Sequence, residues 1–191
     1  MKERNKFYFI ILIVILTIFV LSNLNLNGRA VGYVNITIIH ISSLNFTLNS
    51  VDFGAGSVYL NSSNATIDTT GIVIGGNWTQ TNEGFIIENL GNTNLSVFLK
   101  SEKNATEFLG GTNPEYYYMF NNFEPNSCTE NASAMNSWLP LNNTGYGDKI
   151  CTNMQYIDSN DTIRLDLRLV IPSDAIRGSR FDVLTVTGIN N

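Results

Sequence analysis

From residue 33 onward the chain alternates apolar and polar side chains with a period of two, which confines it to β-strands burying one face. The clearest run is residues 162–171, TIRLDLRLVI. Leu165, Leu167, Leu169 and Ile171 share one parity, and Arg164, Asp166 and Arg168 the other. Pro172-Ser173-Asp174 should end that strand, because proline cannot donate to a ladder. In residues 33–48 one parity carries Val34, Ile36, Ile38, Leu44, Phe46 and Leu48, and the other Tyr33, Asn35, Thr37, Asn45 and Thr47. His40 and Ser42 interrupt the apolar side while Ile39 and Ile41 fall on the polar one, so two strands joined by a bulge are expected. Residues 83–100 read as a hairpin turning at Gly91-Asn92-Thr93, with Leu95, Val97 and Leu99 facing inward. Residues 55–60 and 70–75 read as short strands, and Arg180–Thr187 as the last one.

This spacing predicts an all-β fold, an immunoglobulin-like or jelly-roll β-sandwich of about seven to nine strands. Residues 101–160 break the pattern and are expected to form a loop-rich insertion between core strands, with a short helix near Asn131–Trp138. Residues 1–30 stand outside the fold. Lys2, Arg4 and Lys6 precede an apolar run from Phe7 to Leu21, the layout of an export signal. As a helix of about 15 residues the run would span about 23 Å, short of a hydrocarbon core of about 30 Å. Gly28-Arg29-Ala30 is a weak cleavage site, so a cleaved signal peptide and an N-terminal membrane anchor through residues 7–21 both stay open. Either reading puts residues 31–191 in the extracellular space or on the cell surface.

Composition agrees with export. The net charge is −5 and only 14% of residues are charged, so no basic face invites nucleic acid. Asparagine occurs 27 times. Asn-x-Ser/Thr sequons fall at Asn35, Asn45, Asn61, Asn64, Asn77, Asn94, Asn104, Asn131, Asn142 and Asn160, about twice the number chance would supply. N-linked glycans are therefore expected. Cys128 and Cys151 are the only cysteines and His40 the only histidine, too few for a zinc site, and the two thiols are expected to form one disulfide.

Catalytic chemistry finds little footing. No nucleophile elbow, phosphate-binding glycine loop or histidine-rich metal pattern is present, and no cofactor is implied. Glu83, Glu88, Glu102, Glu107, Asp158, Asp161 and Asp166 are scattered, and a hydrolytic carboxylate pair would depend on their spacing in space. Asp158, Asn160 and Asp161 before a strand have the oxygen ligands calcium takes, and also the composition of an ordinary polar turn. Tyr116, Tyr117 and Tyr118, with Phe120, Phe123 and Trp138, suit either a sugar-binding platform or cover for the sandwich edge.

Three segments together carry a resemblance: Val51–Val58 (VDFGAGSV), Ile87–Leu95 (IENLGNTNL) and Ile171–Gly188 (IPSDAIRGSRFDVLTVTG). The combination resembles archaeal secreted β-sandwich surface proteins and, distantly, camelysin/TasA-type biofilm-fibre subunits. It covers about half of the exported part, and the cysteine-bearing stretch falls outside the fibre-subunit likeness. The resemblance implies self-association by strand donation, with residues 31–41 completing the sheet of a neighbouring subunit. The same segment reads equally as an ordinary first strand of its own domain. The layout also resembles type IV pilins and archaellins, but no Gly or Ala precedes Phe7 as a processing site. The expectation is thus a non-enzymatic surface glycoprotein, structural or fibre-forming, with a carbohydrate-binding module built on residues 101–160 as the alternative.

Overall fold

The computed structural model describes Lys6 and residues 11–15, 36–129 and 135–191. The chain divides into two compact units, Met1–Ile38 and Ile39–Asn191. In the first, residues 11–15 are helical and exposed. Among the described residues no helix is long and apolar enough to cross a membrane. The rest of the Phe7–Leu21 run, and with it the signal or anchor expectation, lies outside the described residues, as do residues 31–35.

The second unit is an all-β, sandwich-like fold of two sheets. One sheet has seven strands: β1 (Leu44–Leu48), β2 (Asn64–Asp68), β3 (Val73–Ile74), β4 (Phe85–Asn89), β6 (Glu115–Asn122), β7 (Leu139–Pro140) and β9 (Thr162–Pro172). The other has three, in the order β10 (Leu184–Asn190), β5 (Leu95–Ser101), β8 (Asp148–Met154). A five-residue helix, α1 (Ala105–Leu109), follows β5.

The TIRLDLRLVI run is the axis of the larger sheet. Strand β9 pairs antiparallel with β6 along one edge, and with β4 and β2 in succession along the other. Of the expected inward set Ile171 is only partly buried and packs against the core, while Leu165 is 0% exposed and Leu167 and Leu169 4% each. Opposite them in register stand Phe120, Tyr118 and Tyr116, also buried. Leu95, Val97, Leu99, Ile150 and Met154 of the smaller sheet join these in one hydrophobic core. Asp166, expected to face solvent, is buried, because the outer face of a central strand is covered too; it accepts hydrogen bonds from Thr69 Oγ1 at 2.7 Å and Arg164 Nε at 2.9 Å.

Four expectations are corrected. Residues 83–100 are not a hairpin: β4 pairs with β1 and β9, whereas β5 pairs with β10 and β8, so the chain crosses from one sheet to the other at Gly91-Asn92-Thr93. Both arms carry inward apolar residues, and an arch serves them as well as a hairpin would. Buried Asn89 pins the arch, donating from Nδ2 to Thr93 O (3.0 Å) and Gln155 O (2.9 Å) and accepting from Gly91 N (3.1 Å). A Cβ at Gly91 would collide with Ile41 O, so the crossing needs a residue without a side chain.

The stretch 101–160 is not a loop-rich insertion. Of the helix expected near Asn131–Trp138, residues 135–138 are not helical and 131–134 lie outside the described residues; the stretch supplies β6 and β7 to the larger sheet, β8 to the smaller, and a helix at Ala105–Leu109. That helix forms because Asn104 and Glu107 make a capping box, each side chain bonded to the other's backbone N–H at 2.9 Å.

Residues 36–43 form no strand; the ladder begins only at Leu44. Residues 39–41 are instead held by Asn92, which accepts from Ile41 N at 2.7 Å and donates through Nδ2 to Ile39 O at 2.9 Å. Finally, residues 55–60 contribute only the bridge Val58–Gly76, the strand falls at Asn64–Asp68, and the last strand ends at Asn190 rather than Thr187.

Candidate functional site

The alternation of β6 splits the tyrosine run. Tyr116 (6% exposed) and Tyr118 (1%) enter the core, so they are not part of a surface platform. Burial, reinforced by Asp182 for the first and Asp148 for the second, drives both phenols far above their usual range and keeps them protonated. Tyr117 turns outward, directly across the ladder from Arg168. The Arg168 guanidinium lies 4.1 Å from the centre of the Trp138 ring and pairs with Asp68 Oδ2 at 2.7 Å. What remains of the aromatic platform is Tyr117 and Trp138 flanking one arginine.

Beneath it, at the seam between β7 and β8, opens a cleft of about 500 Å³. Its walls are Leu139, Pro140 and Leu141, and Tyr118, Asn142, Asp148 and Lys149 supply the polar groups. Asn142 Nδ2 reaches toward Asp148 Oδ1 at 3.5 Å, while the Lys149 ammonium lies 5.3 Å from the centre of the Phe98 ring.

A separate acidic group gathers Glu88 of β4 with Asp158 and Asp161, one carboxylate oxygen of each lying within 4.8 Å of the others. Glu124 joins them, accepting from Asp161 N at 3.1 Å. The sequence placed Asp158 and Asp161 in one polar turn and Glu88 only among the scattered carboxylates; Glu88 arrives through the cross-strand pair Glu88–Thr162. Asn160, between the two aspartates, donates through Nδ2 to Pro125 O. Carboxylate oxygens in this number are what hard divalent cations bind. Burial pushes the Asp161 carboxyl up, the Thr162 hydroxyl pulls the other way, and Glu124 and Glu88 add to the rise.

A carboxyl whose folded pKa exceeds its unfolded one makes the folded chain bind more protons between the two. Its contribution to stability therefore falls as pH rises through that window, and the cost persists at neutral pH. Asp161→Asn is accordingly expected to raise the neutral-pH Tm by about 2 °C and to flatten its acid-side pH dependence, read by calorimetry across that range. A lower Tm for the variant at every pH would contradict this account.

The sequon asparagines scatter over the larger sheet and its loops. Asn45, Asn61, Asn64, Asn77 and Asn104 are exposed, and Asn94, Asn142 and Asn160 are half-buried. Asn35 and Asn131 lie outside the described residues. None of the eight falls within β5, β8 or β10. His40 is exposed and outside any strand.

Cys128 and Cys151 form the expected disulfide, with Cα atoms 5.9 Å apart. It joins the segment after β6 to β8 and so ties the larger sheet's chain to the smaller sheet. No protein-family model, no curated protein sequence and no solved structure matches the chain.

Proposed function

We propose that this chain is a non-enzymatic structural glycoprotein of the cell surface, exported by its N-terminal signal or signal-anchor, whose subunits associate by strand addition. One observation carries the reading. Ile36, Ile38, Ile39 and Ile41 are 78%, 78%, 65% and 51% exposed, an isoleucine-rich extended segment that finds no partner strand among the described residues. Isolated apolar residues on a surface need no explanation, but four in six positions do.

The smaller sheet offers a place for such a segment. The outer edge of β10 has no partner strand among the described residues, and Leu184–Asn190 (LTVTGIN) carries neither a charge nor a proline, the usual guards of an exposed edge. Main-chain hydrogen bonds along an open edge supply affinity, and alternate side chains supply register. The resemblance to archaeal secreted surface proteins and fibre subunits points the same way, and within this reading the sandwich is of the immunoglobulin-like or jelly-roll type. The acidic group of Glu88, Asp158 and Asp161 shares no residue with the lining of the Tyr118 cleft.

The test is assembly of the exported protein, followed by size exclusion and electron microscopy. Filaments or ladders of oligomers are expected for the wild type, and their loss on combining Ile38→Asp with Ile39→Asp at unchanged Tm. A wild type that stays monomeric at all concentrations, while binding glycans through Tyr117 and Trp138 in a manner lost with Trp138→Ala, would replace this reading with that of a carbohydrate-binding module.

A further inference from the structure

The sequon asparagines within the described residues differ in what their amide nitrogens do, and we infer that N-linked glycans occupy Asn45, Asn61, Asn64, Asn77 and Asn104 and are excluded from Asn142 and Asn160. This rests on the reading of the domain as an exported glycoprotein and says which of its amides are the acceptors.

The chemistry sets the criterion. The sugar donor is an oligosaccharide carried on a lipid phosphate, presented by a membrane transferase. Asn Nδ2 attacks the anomeric carbon; the new N–C bond forms as the anomeric C–O bond breaks. The lipid phosphate leaves with the electron pair, and Nδ2 gives up one of its two protons. The glycosylated amide keeps its whole carbonyl oxygen but only one N–H, and its nitrogen must point into open solvent. An asparagine that works through Oδ1 alone can carry a glycan and keep its structural role. One whose Nδ2 is turned into the protein cannot.

The first group meets the criterion. Asn45 stands on the outward parity of β1, between inward Leu44 and Phe46. Asn64 opens β2 on the side opposite buried Ala65, and Asn61 lies in the turn before it. Asn77 accepts from Ser57 N at 2.6 Å and Asn104 from Glu107 N at 2.9 Å, both through Oδ1. Among the described residues no hydrogen bond engages Nδ2 of any of the five.

The second group fails it in two ways. Asn160 spends both ends of its amide, Nδ2 on Pro125 O and Oδ1 on the Ser159 hydroxyl at 2.7 Å. Asn142 accepts through Oδ1 from the Thr144 backbone N–H at 2.9 Å and hydroxyl at 2.8 Å, and turns Nδ2 toward Asp148 in the cleft. That Thr144 hydroxyl is the one its sequon would present to a transferase, and it is already committed. Asn94 stands apart from both groups: its Oδ1 is buried without a partner, and among the described residues no hydrogen bond engages its Nδ2. The criterion holds whether sugar arrives before or after folding, since a glycan on an inward amide keeps the chain from reaching this fold.

Glycopeptide mass spectrometry of the native exported protein tests it. Near-complete occupancy is expected at the first five positions and none at Asn142 and Asn160. Asn61→Gln should remove one glycan mass with Tm unchanged, whereas Asn142→Gln should remove no mass and lower the Tm. A glycan on either of the two excluded positions, or bare amides at the five beside glycans elsewhere, overturns the sorting while leaving the glycoprotein reading intact. Bare amides at all eight positions overturn both.

Discussion

Replacing Asp68 with alanine is expected to destabilise the sandwich by about 3–5 kcal/mol, lowering the Tm by about 10 °C. The side chain sits where β2 pairs edge to edge with β9, opposite Arg168, and is wholly buried. Its two oxygens accept five hydrogen bonds. Oδ1 takes Thr70 Oγ1 (2.7 Å), Thr70 N (3.0 Å) and Ile72 N (3.1 Å), and Oδ2 takes Arg168 Nη2 (2.7 Å) and Nε (3.0 Å). Truncation orphans all of these donors, which is the costly way to break a buried pair. Arg168→Met should cost less, since Asp68 keeps its three bonds to Thr70 and Ile72 and Met can still lie against Trp138.

The pH dependence of the Asp68 effect has a definite sign. Burial pushes the carboxyl up, but the Thr70 hydroxyl, the Arg168 guanidinium and the two backbone N–H groups outweigh burial and hold it below the usual carboxylate range. A depressed folded pKa gives stability that is present above the unfolded value and lost as pH falls through the folded one. The gap between wild type and Asp68→Ala should therefore narrow on the acid side. Chemical denaturation at neutral and acid pH reads both; a neutral-pH loss below about 1 kcal/mol would show the pair to be no better than an exposed one.

What could be read in advance divides by range along the chain. β9 was legible because Ile163 to Leu169 alternate cleanly, and the inward set of β5 was legible for the same reason. β6 hid because Tyr117 and Met119, on its outward parity, are as apolar as Tyr116, Tyr118 and Phe120, which erases the period-two contrast. β2 hid because only Ala65 and Ile67 mark its inward face, amid two sequons that read as turn. The arch was misjudged for a different reason. Gly91 and Asn92 announce a reversal of direction, but not whether the returning strand pairs with its predecessor or crosses to the opposite sheet. That depends on Asn89 meeting Gln155, a contact no local pattern encodes. The acidic group was half legible likewise: Asp158 and Asp161 are neighbours in sequence, and Glu88 joins them only through the β4–β9 ladder.

The disulfide was legible from cysteine count alone, yet its position in the fold sets the size of the second large effect. Combining Cys128→Ser with Cys151→Ser is expected to cost about 3 kcal/mol, the chain-entropy value for the 23-residue separation it closes. The bond works together with a hydrogen-bonded seam. Cys128 N donates to Asn122 Oδ1 at 2.8 Å, Thr129 N to Asn153 O at 3.2 Å, and Gln155 N to Ser127 O at 2.8 Å, so residues 127–129 run along β8 as an extra edge. These bonds survive reduction, so the double variant should still fold, with cooperative unfolding at lower denaturant and little change in slope. Both cysteines are buried, at 4% and 0% exposure, so a thiol reductant should leave the native bond intact until denaturant opens the domain. Mobility on non-reducing gels after reductant alone and after reductant with denaturant separates the two states. Rapid reduction of the folded protein would mean that the 127–129 seam opens on its own, and the double variant would then lose far less than 3 kcal/mol, because the bond would be closing a segment already free in the native state.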